Sequence, residues 1–318
     1  MVRPFTKDIN FLSKRRIFFA ISLLLIVVSI VAIGFRGLNF GIEFQGGTSI
    51  DFISTGDITT EEMRDAIIDA GSDSPIVQTT TNSDGEAGFV VRTAETDAAA
   101  ASALADQVAT TLKLENDSFQ VTTIGPGWGE EVTRTSAIAF FVAIALIICY
   151  VAIRFEYKMS LVAVLTLVHD LVIIVGIYAL FGREVTPNVV AALLTIMGYS
   201  LYDTVVVFHR MKDNMEATKS HSFMTVANHS INQVLMRTIN TLTTSLVPVL
   251  AMLFFGGETL KDFAFAMTFG LVLGSLSSIF LATPLYALWK QREPKYKKLY
   301  QKYGDGTAVF TARENLGD

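Results

Sequence analysis

Long apolar runs separated by short polar segments dominate the pattern of this 318-residue chain. A helix that crosses a bilayer needs about 20 apolar residues. Six runs of roughly this length are each predicted to be a transmembrane helix: Ile17–Phe35, Thr135–Ile153, Met159–Gly182, Val185–Phe208, Thr238–Gly257 and Phe263–Trp289. Buried helices of a soluble protein are rarely this long and this numerous. The pattern therefore predicts a membrane protein built as an all-α bundle of six transmembrane helices.

The first run has an alternative interpretation as a secretory signal peptide, because Lys14, Arg15 and Arg16 precede it. It is long for the apolar region of such a peptide, and the segment VAIGFRG that ends it is not a small-x-small cleavage site. We interpret the run as a signal anchor that is retained.

Between the first and second runs the pattern changes to that of a small soluble domain. GTSIDFI (47–53) alternates as a strand does, and TTEEMRDAIIDAG (59–71) begins with a capping box from Thr59 to Glu62. The remaining predicted elements are two strands around the turn NSDGEAG, an alanine-rich helix and a last strand, in the segments IVQTTT, GFVVRTA, TDAAAASALADQVATTLKL and SFQVTTIG. The order βαββαβ predicts a ferredoxin-like α+β domain inserted between two transmembrane helices.

The distribution of charge predicts the orientation. The segment 37–131 contains 17 acidic and 3 basic residues, a net charge of −14, so the rest of the chain carries +9 of the total −5. Basic residues concentrate in the N-terminus, the turn RFEYK, a predicted loop at 209–237 and the C-terminal tail. By the positive-inside rule these segments face the cytoplasm, which places both termini inside and the acidic domain outside.

The predicted organisation has four parts. They are a cytoplasmic N-terminus with the first transmembrane helix (1–36), an extracytoplasmic α+β domain (37–131), transmembrane helices two to six (132–289) and a basic cytoplasmic tail (290–318).

Ionisable residues inside the apolar runs are the first candidates for function, because such residues usually face the bundle interior or a water-filled cavity. Asp203 lies 19 residues after Glu184, and Arg237 lies 21 residues before Glu258. At 1.5 Å per residue these depths are about 28 Å and about 32 Å below the outer surface. The two charges are therefore predicted at nearly the same level, where protonation of the carboxylate would break an ion pair between them.

Two structural alternatives apply to these residues. Asp203 can be a static salt-bridge partner that only fixes helix packing. Arg237 can be a cation near a cytoplasmic helix end that extends its side chain to the membrane surface.

Further polar positions accompany this pair. Asp170 and His169 lie inside the third run, where a proton relay and a hydrogen-bonded structural role are both open. Adjacent helical residues point about 100° apart, so only one of the two needs to face the interior. Thr241, Tyr202 and Thr204 are candidates for a polar lining, although hydroxyl groups also make ordinary interhelical hydrogen bonds.

The sequence offers little support for nucleotide binding, metal binding or enzymatic catalysis. It contains no phosphate-loop lysine motif, no HExxH and no Gly-x-Ser-x-Gly, and its four histidines lack zinc spacing. Tyr202 with Asp203 matches half of the intramembrane aspartyl protease pattern, but Asp170 follows LVH and no Pro-Ala-Leu exists. We expect no enzymatic activity, no cofactor, no metal and no nucleic-acid partner.

Several motifs in one order resemble those of the SecF family. GIEFQGGT (41–48) is similar to its Gly-Ile-Asp-Phe-x-Gly-Gly-Thr signature. The other similar segments, within residues 36–284, are IGPGWGEEV, RFEYK, LVHDLVIIVGIYAL, GYSLYDTVVVFHR, INQVLMRTINTLTT and FGGETLKDFAFAMTFGLVLGSLSSIF.

The resemblance implies an accessory subunit of the bacterial Sec export machinery in the cytoplasmic membrane, within the resistance–nodulation–division (RND) superfamily. It implies pairing with SecD, association with the SecYEG channel, and use of proton flow to assist the export of preproteins. In that family an aspartate of the fourth span and an arginine of the fifth form the proton pathway, and they match Asp203 and Arg237. A further carboxylate is expected from SecD.

Two positions depart from the family pattern. Tyr202 stands where asparagine is usual, and its phenol can still hydrogen-bond the neighbouring carboxylate. His209 stands where aspartate is frequent. It either puts a group that titrates near neutral pH at the cytoplasmic end of the proton pathway or is only a solvated loop residue.

Two further hypotheses remain from the sequence. An RND-type transporter of lipids or small molecules would have a larger external domain and a second set of six spans. A purely structural membrane scaffold would keep export intact when Asp203 is replaced by asparagine.

Overall fold

The computed structural model describes residues 9–53, 58–72, 75–81, 87–114, 119–217 and 221–304. Within these residues, six helical segments are long and apolar enough to cross a membrane. They are Leu12–Arg36, Gly127–Arg154, Tyr157–Phe181, Pro187–Glu216, Phe223–Phe255 and Leu260–Gln291. The six predicted transmembrane helices are therefore confirmed.

The elements follow one another as long helices with one block of strands. In chain order they are a 3₁₀ turn (Leu12–Lys14), α1 (Arg15–Arg36), β1 (Asn39–Phe40), α2 (Ile42–Gln45), β2 (Gly47–Ile53), α3 (Thr60–Asp69), β3 (Ile76–Thr81), β4 (Ala87–Thr93), α4 (Ala98–Thr111), β5 (Phe119–Ile124), α5 (Pro126–Arg154), α6 (Tyr157–Phe181), β6 (Glu184–Val185), α7 (Pro187–Ala217), α8 (Phe223–Phe255), α9 (Glu258–Ser277), a π-helical turn (Ser278–Ala282), α10 (Thr283–Gln291) and α11 (Pro294–Tyr303).

The fourth and fifth spans extend well beyond their apolar runs. The segment 209–237, predicted to be a loop, is helical at both ends, because α7 continues to Ala217 and α8 already begins at Phe223. Polar contacts hold these extensions together: Arg210 donates to Gln233 Oε1 at 2.6 Å and Asn214 donates to Ser230 Oγ at 2.8 Å. The loop prediction was wrong because interhelical hydrogen bonds add to the burial of apolar residues such as Met211, Phe223 and Ile231, which alternate with polar ones and therefore form no continuous apolar run.

The strands form the predicted α+β fold. Four of them make an antiparallel sheet in the order β3-β4-β2-β5, and α3 and α4 follow β2 and β4 in the chain, which gives the βαββαβ order. Residues of both helices and of the central strands share one apolar core, which includes Ile50, Phe52, Met63, Val91 and Val108. The capping box of Thr59 and Glu62 is present at the start of α3. The predicted turn NSDGEAG lies mostly outside the described residues.

The chain divides into two compact units. The sheet unit comprises the described residues of Asn39–Phe141 and also Glu184–Val190, a segment far away in sequence. There β6 pairs with β1 in parallel, and the Glu184 carboxylate forms an ion pair with Arg92 of β4. From its sequence position Glu184 was expected only to mark the membrane surface, and this contact was not predicted.

The helical unit comprises the described residues of Met1–Leu38, Val142–Arg183 and Ala191–Asp318. Its interior is formed largely by α6, α7 and the sixth span, whereas α1, the part of α5 in this unit and α8 are largely exposed. α1 packs on α6 and α8 packs on α9. Small residues permit close approach between helices: a Cβ at Gly274 would lie 2.9 Å from Ser200 Cβ on α7, and one at Gly270 would overlap Ile196.

Candidate functional site

Asp203 lies near the middle of α7 and is almost fully buried, with 3% of its surface exposed. Its Oδ2 accepts a hydrogen bond of 3.0 Å from the hydroxyl of Ser275 on α9, which is itself buried. Within the described part of the chain this is the only hydrogen bond of the Asp203 side chain. A buried carboxylate ordinarily needs several donors or a cation to offset the loss of water. Asp203 is therefore incompletely compensated by the residues around it.

Arg237 is an exposed residue on α8, 14 positions after the start of that helix. Its guanidinium donates to the hydroxyl of Tyr202 on α7, and the guanidinium carbon lies 5.4 Å from the centroid of the Tyr202 ring. The described contacts include no ion pair between Arg237 and Asp203. Arg237 therefore reaches the residue next to the aspartate and not the carboxylate itself.

The position of Arg237 also bears on the alternative that it extends to the surface from a helix end. α8 runs from Phe223 to Phe255, so about four helical turns precede Arg237 and about five follow it. The residue is thus well inside the helix, although it directly precedes the apolar run that begins at Thr238, so its extension to the membrane surface remains an alternative.

Asp170 on α6 is fully buried and, unlike Asp203, surrounded by donors. Its Oδ2 accepts hydrogen bonds of 2.7 Å from Ser200 of α7 and of 2.7 Å from Ser277 of α9. Its Oδ1 lies 2.9 Å from Nδ1 of His169. Three partners on three helices make this carboxylate a junction that holds α6, α7 and α9 in register, which favours the structural role for Asp170.

His169 is buried beside Asp170, with 8% of its surface exposed. Its Nε2 lies 2.7 Å from the hydroxyl of Ser22 on α1, so the ring connects α1 to the Asp170 carboxylate. The sequence required only one of these adjacent residues to face the interior, and in the structure both are buried. The reason is that α6 is covered by α1 as well as by α9, and adjacent residues can therefore both be enclosed.

The threonines behave differently from one another. Thr204 is buried, donates to the backbone oxygen of Ser200 at 3.1 Å and lies 2.8 Å from the Ser278 hydroxyl, at the start of the π-helical turn. Thr241 is partly buried, and its backbone oxygen accepts a hydrogen bond of 3.1 Å from Thr244. Within the described residues no hydrogen bond joins Thr241 to Asp203. The structure thus brings Thr204, but not Thr241, into the interhelical network.

Sequence reasoning missed the three serines that contact the aspartates, Ser200, Ser275 and Ser277. For Ser275 and Ser277 the signal was present as a group of hydroxyl residues in the charge-free segment GSLSSIF, whereas Ser200 stands alone in GYSLYD. These side chains carry no charge, so a search for ionisable residues passes over them. The described residues contain no group of three or more histidine, cysteine or carboxylate side chains that could hold a metal ion.

Comparison with protein families gives two matches. Residues 104–292 match the model described as "Protein export membrane protein SecD/SecF, C-terminal". Residues 31–52 match the SecD/SecF GG motif, which includes the segment GIEFQGGT singled out above.

Similar sequences extend over nearly the whole chain. The protein translocase subunit SecF of Streptomyces coelicolor is 36% identical over 97% of this chain and 85% of its own length. The SecF subunit of Desulfurispirillum indicum is also 36% identical, over 92% of this chain and 96% of its own length.

Similar solved structures agree with these sequence matches. The crystal structure of SecDF from Thermus thermophilus, described as a translocon-associated membrane protein, superimposes with a TM-score of 0.81 at 32% identity. The match covers 90% of this chain and 39% of that one. A crystal structure of SecDF in a super-membrane-facing form has a TM-score of 0.67 at 31% identity and covers 94% of this chain and 40% of the other.

Proposed function

This chain belongs to the SecD/SecF family of protein-export membrane proteins, and we propose that it is a SecF-type subunit that uses the proton gradient to assist the export of polypeptides. The translocase-subunit names of its relatives support a role in export. We propose that protons move through the helical unit and that no catalytic chemistry on the exported chain is involved.

The observation that carries the proton-coupled role is the contrast between the two buried aspartates. Asp170 has three partners, whereas Asp203 has a hydrogen bond to one of its two oxygens. We propose that Asp203 is the group that takes up and releases the proton and that Asp170 fixes the helices around it. The second oxygen of Asp203 is then the site of proton exchange.

Protonation of Asp203 is proposed to change the interaction of Arg237 with α7, in which Tyr202 also takes part. When Asp203 is ionised, the Arg237 guanidinium is attracted toward α7, where it is already bonded to the adjacent Tyr202. When Asp203 is protonated, this electrostatic attraction is lost and only the contact with Tyr202 remains. We propose that the change alters how α8 is held against α7, with Tyr202 positioning the cation beside the carboxylate in both states.

The proposed partners are SecD, the SecYEG channel and the exported preproteins. The chain spans about two fifths of the length of the SecDF protein that it matches in structure. SecD is proposed to pair with the helical unit and to supply a further carboxylate to the pathway.

The proposed location is the cytoplasmic membrane of a bacterium, with both termini in the cytoplasm and residues 37–131 outside. The net charge of −14 on that segment and the basic residues in the other segments support this orientation.

The test is replacement of Asp203 by asparagine, which keeps the shape of the side chain but cannot ionise. We expect proton flux and proton-dependent export to be lost in inverted membrane vesicles that contain SecD, while the membrane level and SecD association persist. Asp213→Asn is a matched control, because Asp213 is an exposed aspartate on the same helix. Normal export with normal flux would contradict the proposal, and loss of SecD binding would indicate a structural role.

A further inference from the structure

A large cavity lies at one end of the helical unit and shares no residue with the Asp203 and Asp170 networks. Its volume is about 800 Å³. Residues from six helices line it: the last residue of α5, the first turn of α6, the last turns of α7, the start of α8, the end of α10 and one side of α11. The ends of the second and sixth spans and the start of the third, at Arg154, Lys290 and Met159, place the cavity at the level where a membrane span meets the headgroup layer.

The floor of the cavity is apolar. Met159, Phe208, Met211, Phe223 and Tyr286 line it and are nearly completely buried within the core of the helical unit. Phe208 and Phe223 both contact the Tyr286 ring, with centroid distances of 5.1 Å and 5.6 Å. A concave floor of this kind accepts a hydrocarbon chain without any requirement for hydrogen bonds.

The rim of the cavity is strongly basic. Six cations and two carboxylates line it. The cations are Arg154, Lys212, Lys290, Lys295, Lys298 and Lys302. The carboxylate of Glu156 is bound by Lys290, so this carboxylate does not offset the charge of the other five cations. In the described residues neither Lys212 nor Lys298 forms an ion pair.

Helix α11 contributes both kinds of residue. Tyr296 and Leu299 of this helix line the cavity together with Lys295, Lys298 and Lys302. Lys295 lies over the Tyr296 ring, with its ammonium 5.4 Å from the centroid, and Tyr296 contacts Phe223. Leu299 is partly buried but is not part of the apolar core. The helix thus presents an apolar strip to the cavity with cations beside it.

We infer that this cavity binds an anionic phospholipid, with the phosphate headgroup at Lys212 and Lys298 and an acyl chain on the apolar floor. Three observations select this ligand: the excess of positive charge on the rim, the apolar floor, and the position at the ends of the spans. Basic pockets between transmembrane helices at the headgroup level are the kind of site that holds acidic lipid headgroups. The inference does not depend on the proposed role in export.

The experiment measures lipid binding to the purified full chain in detergent by native mass spectrometry. The probes are phosphatidylglycerol and phosphatidylcholine with identical acyl chains. The test variant is the double substitution Lys212→Gln and Lys298→Gln. Lys14→Gln with Lys297→Gln is the matched control, because it removes two exposed charges that do not line this cavity, one of them on α11 itself.

We expect phosphatidylglycerol to bind at least tenfold more tightly than phosphatidylcholine. Each lysine near an anionic lipid contributes about 1 kcal/mol, so the double variant should bind phosphatidylglycerol about thirtyfold more weakly. The control variant should stay within about twofold of the unmodified chain. Equal binding of the two lipids by the unmodified chain would overturn the inference without reference to any variant, and so would unchanged binding in a folded double variant.

A second arm separates a lipid from a soluble anion. Leu299→Gln should weaken the binding of phosphatidylglycerol, because it places an amide on the apolar strip. In a separate competition experiment, glycerol phosphate should not displace the lipid from the unmodified chain. Displacement by glycerol phosphate at concentrations similar to those of the lipid would overturn the lipid assignment. Stronger displacement by an acidic amphipathic peptide would overturn it in favour of a protein partner.

Discussion

Arg237 on α8 donates a hydrogen bond to the hydroxyl of Tyr202 on α7, and its guanidinium carbon lies 5.4 Å from the centre of that ring. Tyr202 immediately precedes Asp203, whose carboxylate accepts a hydrogen bond from Ser275 on α9. The cation is therefore held beside the carboxylate without forming an ion pair with it. Tyr202, the residue that departs from the resembled pattern, is thus the one that contacts the cation.

Substitutions at Tyr202 should test this contact directly. Tyr202→Phe keeps the ring but removes the oxygen that accepts from Arg237, and a hydrogen bond to a charged group contributes about 1.5–3 kcal/mol. We expect proton-dependent export to fall severalfold in Tyr202→Phe and further in Tyr202→Ala, which also removes the cation–π contact. Tyr202→Asn should retain most of the activity, because its amide oxygen can accept from Arg237.

The measurement is the initial rate of export of a reporter preprotein into vesicles at matched membrane levels. Tyr150→Phe is the control, since it removes the hydroxyl of an exposed tyrosine on α5. Full activity of both Tyr202→Phe and Tyr202→Ala would show that the contact has no part in coupling.

Asp170→Asn should act mainly on stability. One carboxylate oxygen accepts from Ser200 and Ser277 and the other lies 2.9 Å from His169 Nδ1, whereas asparagine has a single accepting oxygen and no charge and cannot serve both sides in the same way. Loss of one such bond to a buried charge costs about 1.5–3 kcal/mol. We expect a clearly lower midpoint of thermal unfolding in detergent, and a smaller decrease in Ser22→Ala, which removes only the contact with His169. A stable Asp170→Asn variant without proton flux would instead indicate a relay role.

Gly176 should not tolerate alanine. A Cβ at this position of α6 would overlap both Cβ and Oγ of Ser29 on α1. Overpacking of this kind typically costs about 1–3 kcal/mol, so we expect Gly176→Ala to lower the unfolding midpoint. Gly198→Ala is the matched control, because a Cβ there would have no atom within 4 Å, and alanine in a helix interior is favoured over glycine by about 0.5–1 kcal/mol. Equal midpoints for the two variants would contradict this account.

Glu293 should give a pH-dependent contribution to stability. Burial alone raises its pKa, but hydrogen bonds from Lys158 and Lys290 outweigh burial and hold the pKa below its ordinary value of 4.5. The Lys158 ammonium lies 2.8 Å from Glu293 Oε1 and the Lys290 ammonium lies 3.1 Å from it. Because the folded pKa is lowered, the stabilisation is present above the ordinary value and is lost as the pH falls through the folded value.

Thermal unfolding of the unmodified chain and of Glu293→Gln should therefore differ at pH 7 and converge below about pH 4.5. Asp65→Asn replaces an exposed carboxylate on α3 and is the control. The difference in unfolding temperature between this variant and the unmodified chain should not change between pH 7 and about pH 4.5. A difference between the Glu293 variant and the unmodified chain that is independent of pH would show that the ion pairs do not produce it.

The six helices and the βαββαβ order were predictable because both depend on local patterns. Apolar runs of span length have few alternatives to a membrane helix, and strand alternation with the Thr59–Glu62 capping box defined the sheet unit. The extent of α7 and α8 was not predictable in the same way, because hydrogen bonds between residues such as Arg210 and Gln233, 23 positions apart, stabilise their polar ends.

By itself the sequence determined which charges lie within or next to the apolar runs, Asp203 and Asp170 within them and Arg237 just before one, because a charged side chain is evident against an apolar background. Only the tertiary structure decided their partners. Ser275 contacts one aspartate and Ser277 the other, and Tyr202 contacts Arg237. Uncharged hydroxyl groups on different helices leave little trace in a linear pattern, and their contacts exist only once helix packing has fixed the rotation of each helix about its axis.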